Sequence, residues 1–292
     1  MRKYIALATL ALVVAGCEKS DNIPVVDDGA MRIEVLHPSA TRATETAFES
    51  GDVIGVYATE YSGDTAAPLQ ISGNWANNVA TTFDGAVWTP AKKIFWSENK
   101  MDVYGYYPYM TPTSVDEHLW SVQLDQSTPE TVDALSGYEA SDFLWAKASG
   151  VKLEGGNVEL EFKHRCSKLV VKLVKGADYS GVLPTESELY IHSTVPTATV
   201  DFVNGAVTKY IYGEMETIKA RRVDDGTFEA IIVPQRMETR RPFLEYIANG
   251  VSYLYEGTFV FKAGKLHTLE LTINSNPDQI EVEVGGEVGD WN

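Results

Sequence analysis

Residues 158–174 read VELEFKHRCSKLVVKLV and contain two strand patterns joined by a short polar step. Apolar and charged residues alternate over 158–162, and apolar residues recur at every second position over 168–174. Because successive side chains of a strand point to opposite faces, this alternation predicts two strands that each bury one face. The polar pair His164-Arg165 separates them, which predicts a junction between two β domains near residue 166.

Similar patterns recur along most of the chain and predict an all-β fold. The breaks between them are rich in Gly, Pro, Asn and Asp, as is typical of β-sandwiches. The pair Asn204-Gly205 predicts a hairpin after the strand at 199–202. No long stretch has helical periodicity, and at most a single helical turn is expected, at 129–137 or 183–189. Further strands are expected at 54–57, 228–233, 253–261 and 267–273.

The first sixteen residues have the pattern of a secretory signal peptide. Arg2 and Lys3 precede an apolar run that is about half of the ~20 residues a membrane-spanning helix needs. The run ends in VAGC at 14–17, which resembles a bacterial lipobox, where small residues precede a cysteine that becomes acylated. We therefore expect 1–16 to be a lipoprotein signal peptide and Cys17 to carry lipid. The alternative is an ordinary secretory peptide cleaved elsewhere.

The composition narrows the possible partners. The chain of 292 residues carries 24 basic and 41 acidic residues, a net charge of −17, which argues against nucleic acid or an anionic membrane face as partner. Its length suits two domains. The two cysteines are Cys17 and Cys166, so lipidation of the first leaves no internal disulfide. We expect Cys166 to be a small core residue.

No motif for catalysis or metal binding stands out. A zinc site needs three or four converging ligands, and the histidines lack the usual spacings. His164 and Cys166 could face the same side of a strand, but a packed junction explains them better than a nucleophile pair with no third group. We therefore expect no catalytic residues, no metal and no cofactor; a secreted hydrolase is the least favoured alternative. The histidines are His37, His118, His164, His192 and His267.

The aromatic run YGYYPY at 104–109 invites comparison with sugar-binding surfaces, where exposed rings stack on glycans. Tyr104 and Tyr106 alternate around Gly105, however, which is strand behaviour and favours use in the core. A monomeric surface lipoprotein that binds glycan through exposed aromatics remains the alternative function. The tryptophans considered with the run are Trp75, Trp88, Trp96, Trp120 and Trp145.

Two short alternating segments lie near the ends of the chain. The first places Met31, Ile33 and Val35 on one face, and the second does the same for Ile280, Val282 and Val284. Arg42 follows the first segment in a small, polar stretch that an Arg-specific protease could cleave. If the first strand were removed, a sandwich would expose an apolar groove that a neighbour's terminal strand could fill by backbone pairing. From the pattern alone, two ordinary edge strands of a monomer are the favoured interpretation.

An ordered series of short motifs spans nearly the whole chain. The motifs are VAGC (14–17), TRAT (41–44), FESGDVIGVY (48–57), VYGYYPY (103–109), DFLWA (142–146), LEFKH (160–164) followed by Lys168-Leu169, ATVDF (198–202), VPQ (233–235) and GKLHT (264–268). Together they resemble the fimbrillin-like (Mfa-like) lipoproteins, which are subunits of type V pili in Bacteroides-type bacteria.

The resemblance implies two transthyretin-like β-sandwich domains in tandem, with no enzymatic activity. It also implies export to the outer membrane as a lipid-anchored precursor, maturation by an Arg-specific protease, and a final location in an extracellular pilus that serves adhesion. The partners it implies are other pilus subunits, the protease, and outer-membrane lipid through Cys17. The expected units are therefore the lipoprotein signal peptide (1–16), the lipidated tether with the removable first strand (17–42), the N-terminal β-sandwich (43–166) and the C-terminal β-sandwich with the candidate donor strand (167–292).

Carried onto this sequence, the resemblance puts the protease cut between Arg42 and Ala43 and makes 31–36 the discarded strand. The donor strand for the next subunit would then come from 279–288, which includes Ile280, Val282 and Val284. The end of the chain, GGEVGDWN at 285–292, departs from this expectation because glycine weakens a long continuous strand.

Overall fold

The structure is a computed structural model and describes residues 29–37, 47–153, 156–274, 280–283 and 288–291. Within these ranges it is all-β, as predicted, and contains 22 strands. The strands are β1 (Arg32–Leu36), β2 (Val53–Ser62), β3 (Thr65–Ala66), β4 (Ala76–Phe83), β5 (Trp88–Pro90), β6 (Met101–Tyr107), β7 (His118–Ser121), β8 (Leu144–Val151), β9 (Asn157–Glu161), β10 (Lys163–His164), β11 (Ser167–Lys175), β12 (Ser187–Thr194), β13 (Thr197–Asp201), β14 (Ala206–Lys209), β15 (Glu216–Lys219), β16 (Arg221–Asp224), β17 (Thr227–Ile232), β18 (Gln235–Ala248), β19 (Val251–Phe261), β20 (Lys265–Ile273), β21 (Ile280–Glu283) and β22 (Gly289–Asp290).

The strands form five sheets. A seven-stranded sheet has the order β10-β8-β6-β2-β4-β5, with β3 paired to β2, and β1 and β9 form a separate parallel pair. A six-stranded sheet has the order β16-β17-β11-β20-β21, with β22 paired to β20. A four-stranded sheet (β15-β12-β18-β19) and a three-stranded sheet (β14-β13-β7) complete the fold.

The predicted domain boundary falls between two sheets. Strand β10 ends at His164 in the seven-stranded sheet, and β11 begins at Ser167 in the six-stranded sheet. The three-stranded sheet, however, pairs β7 with β13 from the other side of that point. The division at 166, like the tandem transthyretin-like arrangement, therefore stays a prediction.

The seven-stranded sheet is buried on both faces. Ile54 and Val56 of β2 belong to one hydrophobic core together with residues of β1 and β9. Tyr57 and Tyr106 belong to a second core, which includes Leu169 and other residues of the six- and four-stranded sheets. The seven-stranded sheet therefore stands between two cores.

Close packing explains a glycine in this sheet. A Cβ on Gly55 would lie 2.2 Å from the Tyr106 ring, so only glycine fits beside that side chain.

The sequence predictions hold best where apolar residues alternate. The predicted strands at 158–162 and 267–273 correspond to β9 and β20, and Leu269, Leu271 and Ile273 are buried as expected. The hairpin at Asn204-Gly205 joins β13 to β14, and Gly205 has the positive φ of 72° that its turn requires.

Strand β18 was not predicted, and β2 is longer than predicted. The first half of β18 carries exposed Arg240 and Arg241 and then Pro242, so its apolar alternation is interrupted. Its pairing with β19 is irregular on both sides of Arg241, which accommodates the proline without a backbone donor.

A 3-10 turn spans Glu139–Ser141, just beyond the stretch predicted at 129–137. Ser136 and Glu139 form reciprocal side-chain to backbone hydrogen bonds of 3.1 and 3.2 Å that fix its start. The other predicted place, 183–189, instead contains the beginning of β12. In the part of the chain that the structure describes, no helix has the length and apolar character to cross a membrane.

Candidate subunit interface

Strand β1 contains the face that the sequence predicts to be apolar. Met31, directly before it, is 3% exposed and Ile33 is 7% exposed, while Val35 packs half-buried against the same core. The intervening Arg32 and Glu34 are exposed. The predicted alternation is therefore present, but whether the strand is removed stays a prediction.

The backbone of β1 is paired along one edge. Its register with β9 is parallel and places Ile33 opposite Val158. At its ends, the Met31 N–H donates to the Ile94 carbonyl at 2.7 Å, and the Phe162 N–H donates to the Leu36 carbonyl at 2.9 Å. Among the described strands β9 is its one partner, so β1 is an edge strand.

A cavity of about 920 Å³ lies beside β1. Residues of β1 and β5 line it, with Phe48, Phe83 and Trp88 among the apolar side chains. Arg32 and Lys93 are among the charged ones. The groove thus combines apolar surface with a strand edge, the two features that extended peptides recognise.

Phe48, which lines this groove, is the centre of an aromatic cluster. The Phe48 ring contacts His37, Trp88, Tyr107 and Phe162 at centroid distances of 4.9, 5.1, 5.4 and 5.7 Å. His37 directly follows β1. His37, which directly precedes the segment 38–46, is therefore in contact with Phe48, which lies two residues after it. The predicted cleavage residues Arg42 and Ala43 lie outside the described residues, as does Cys17.

The candidate donor segment pairs with its own subunit. Strand β21, which contains Ile280 and Val282, runs antiparallel to β20 at the edge of the six-stranded sheet. The register places Ile280 opposite Ile273 and Val282 opposite Leu271. Val284 lies outside the described residues. The pairing is that of an ordinary edge strand, and a donor role stays a prediction.

Sequence reasoning missed the role of Trp291 in this region. Its ring stacks on the His164 ring with centroids 3.8 Å apart and an interplanar angle of 7°. The only signal in the sequence is a single aromatic residue at the end of a glycine-rich tail.

His164 and Cys166 do not form a nucleophile pair. The Nδ1 atom of His164 lies 3.0 Å from Oδ1 of Asp142. Cys166 is fully buried, and burial raises the pKa of its thiol, so the reactive thiolate is disfavoured. The prediction that Cys166 is a core residue is confirmed.

The aromatic run serves mainly as core. Tyr104, Tyr106 and Tyr107 are buried, and Tyr109 is 40% exposed. Burial raises the pKa of the Tyr106 hydroxyl, which donates to the Met110 carbonyl at 2.7 Å. The preference for a core role is confirmed for the three buried tyrosines. Trp75, in contrast, is 47% exposed.

Comparison with known families places this chain in one of them. Residues 41–291 match the sequence model of the fimbrillin-like family. The chain is 25% identical to Fim1C, a candidate fimbrium subunit of Bacteroides uniformis, with 100% of this chain and 96% of the relative covered. The family match begins after β1.

Two crystal structures share the fold. A candidate cell adhesion protein from Bacteroides uniformis has a TM-score of 0.67 and 21% identity, covering 91% of this chain and 99% of that one. A candidate cell adhesion protein from Bacteroides ovatus has a TM-score of 0.66 and 19% identity, covering 90% of this chain and 98% of that one.

Proposed function

Because the chain belongs to the fimbrillin-like family, we propose that it is a structural subunit of a surface pilus that serves adhesion and has no catalytic role. The subunit is exported as an outer-membrane lipoprotein anchored through Cys17 and is built as two tandem transthyretin-like domains. It joins an extracellular pilus after an Arg-specific protease cuts between Arg42 and Ala43. The partners are other pilus subunits.

The observation that carries this proposal is the environment of β1. The strand buries Met31 and Ile33 in a core, is paired along one edge, and borders a cavity of about 920 Å³. If β1 leaves, the apolar positions it filled and the edge of β9 become available together. Reburial of apolar surface by a new strand would contribute about 25 cal/mol per Å².

Strand exchange gives a mechanism for polymerisation. The segment 279–288 of a neighbouring subunit would take the place of β1. Its Ile280, Val282 and Val284 repeat the every-second-residue spacing of Met31, Ile33 and Val35. Backbone hydrogen bonds between the donor strand and β9 would supply the affinity. The alternate apolar side chains would fix the register of the donor strand. The partner β20 would be left without β21 in the donating subunit.

N-terminal sequencing of protein taken from the cell surface tests the processing step. A new N-terminus at Ala43 is expected, whereas an acylated Cys17 on assembled protein would overturn the proposed cleavage. Electron microscopy of protein trimmed after Arg42 tests polymerisation, with Val282→Asp expected to abolish filaments. Val182→Asp is the matched control because Val182 is 83% exposed. Trimmed protein that stays monomeric would contradict assembly by strand exchange.

A second candidate function is glycan binding through an exposed aromatic side chain, and the observation that favours it is Trp75. Its indole N–H donates to the Phe95 carbonyl at 2.8 Å, which fixes the ring while 47% of the residue stays exposed. Loss of glycan binding in Trp75→Ala, with filaments unaffected, would support this candidate. Glycan arrays on the wild-type protein that show no binding would contradict it.

A further inference from the structure

One tryptophan holds the C-terminal end of the chain against the body of the protein. Trp291 is 7% exposed and stacks on His164 with ring centroids 3.8 Å apart. Its backbone N–H donates to the Gly264 carbonyl at 3.0 Å. The preceding strand β22 pairs with β20, with Gly289 opposite Leu266 and an ion pair between Asp290 and Lys265. The glycine-rich tail is thus anchored at its end.

The histidine that receives Trp291 is buried and hydrogen-bonded. The side chain of His164 is 3% exposed, and its Nδ1 lies 3.0 Å from Oδ1 of Asp142. Because a carboxylate only accepts hydrogen bonds, Nδ1–H is the donor, and this fixes the ring plane. Gly264 has a φ of +62°, and a Cβ there would lie 3.1 Å from the His164 carbonyl oxygen. Glycine therefore allows the turn that binds the Trp291 backbone to approach β10 closely.

The N-terminal segment reaches the same histidine. The His37 ring directly follows β1 and meets the His164 ring edge-on, with centroids 6.0 Å apart and an interplanar angle of 79°. His37 also contacts Phe48 at 4.9 Å. His164 is therefore contacted by one aromatic ring from each end of the chain.

We propose that His164 is a docking site for Trp291, which holds strands β21 and β22 on their own subunit, and that the segment ending at His37 stabilises this docking. The role of this docking in assembly rests on the proposed pilus function. Cleavage after Arg42 and departure of β1 would remove His37 from the edge of His164 and admit water there. The Trp291 stack would weaken, and β21 and β22 would become available to a neighbour only after the cut.

Hydrogen–deuterium exchange on the full chain tests the docking. In Trp291→Ala we expect exchange at 280–283 and 288–291 to accelerate at least tenfold, while β6 and β11 stay unchanged. Trp75→Ala is the matched control, since Trp75 is 47% exposed and should leave the C-terminal exchange unaltered. Exchange in Trp291→Ala equal to that of the wild type would overturn the proposal.

The coupling between the two ends has its own test. We expect His37→Ala to accelerate exchange at 288–291 severalfold, and dilute monomeric protein trimmed after Arg42 to show at least the same acceleration. Unchanged exchange in both would overturn the coupling. One outcome is that trimmed protein forms filaments although its exchange at 288–291 is no faster than in the full chain. That result would refute the proposed docking and leave the pilus function standing. Faster exchange without filaments would support the docking and contradict the pilus function.

Discussion

Ile33 stands opposite Val158 in the parallel ladder between β1 and β9, and the two side chains are 7% and 0% exposed. A parallel edge pair of five residues is a short attachment for a strand, so much of its stability must come from side chains such as Ile33.

We expect Ile33→Ala to lower the free energy of unfolding by about 2 kcal/mol, at the low end for a buried isoleucine because an edge strand can shift to fill space. Urea denaturation measures the effect. Glu34→Ala, on the exposed side of the same strand, should change stability by less than about 0.5 kcal/mol. Equal effects of the two substitutions would contradict the assigned burial of β1.

Removal of the buried carboxylate of Glu229 should destabilise the protein more than Ile33→Ala does. It lies 3.1 Å from the Lys168 ammonium and 2.8 Å from the Arg221 guanidinium, and its side chain is 3% exposed. Glu229→Ala leaves two cations without their carboxylate, which we expect to cost about 3–5 kcal/mol in chemical denaturation. Glu256→Ala, which removes an exposed pair with Arg240, should cost less than about 1 kcal/mol. A small loss at Glu229 would show that these cations find other partners.

Asp102 should make the protein sensitive to acid. Burial alone would raise the pKa of its carboxyl, but hydrogen bonds from Lys147, the Gly150 N–H and Tyr61 outweigh burial and lower the pKa. Since the pKa is lower in the folded protein, the stabilisation is present above the unfolded value of about 3.9 and is lost as pH falls through the folded value.

The measurement is the free energy of unfolding between about pH 2 and pH 7. We expect Asp102→Asn to be less stable than the wild type at neutral pH and to lose less stability on acidification. Asp133→Asn, at an exposed position, should follow the wild-type curve. A variant curve parallel to that of the wild type would exclude Asp102 as a source of acid sensitivity.

Gly55 leaves no room for a side chain. Because a Cβ there would lie 2.2 Å from the Tyr106 ring, Gly55→Ala should cost about 1–3 kcal/mol through overpacking. Thermal denaturation would show the loss. Gly289→Ala is a useful comparison, since nothing lies within 4 Å of a Cβ at that position. Equal melting temperatures for Gly55→Ala and the wild type would contradict the packing of Tyr106.

The sequence is informative where one face of a strand is apolar and the other is charged. The strand β9, with its alternating Val158 and Leu160, could be predicted for this reason. The buried side of β1 could be predicted as well, but not its parallel pairing with β9, since alternation specifies a face and carries no information on the partner strand. The family resemblance, which rests on many short motifs, is confirmed.

Features that depend on distant contacts could not be predicted. Strand β18 depends on pairing with β12 and β19 and tolerates Pro242 at an irregular position. The stack of Trp291 on His164 joins residues far apart in the chain. The residues around each of them carry no pattern that predicts this contact.

The sheet that stands between two cores has a mechanical consequence. Tyr57 and Tyr106 bury one face of it in the same core as Leu169, so this face cannot be bared without disrupting packing in the six-stranded sheet. Separating the six-stranded sheet from the seven-stranded sheet would therefore break up one shared core instead of opening a hinge between them.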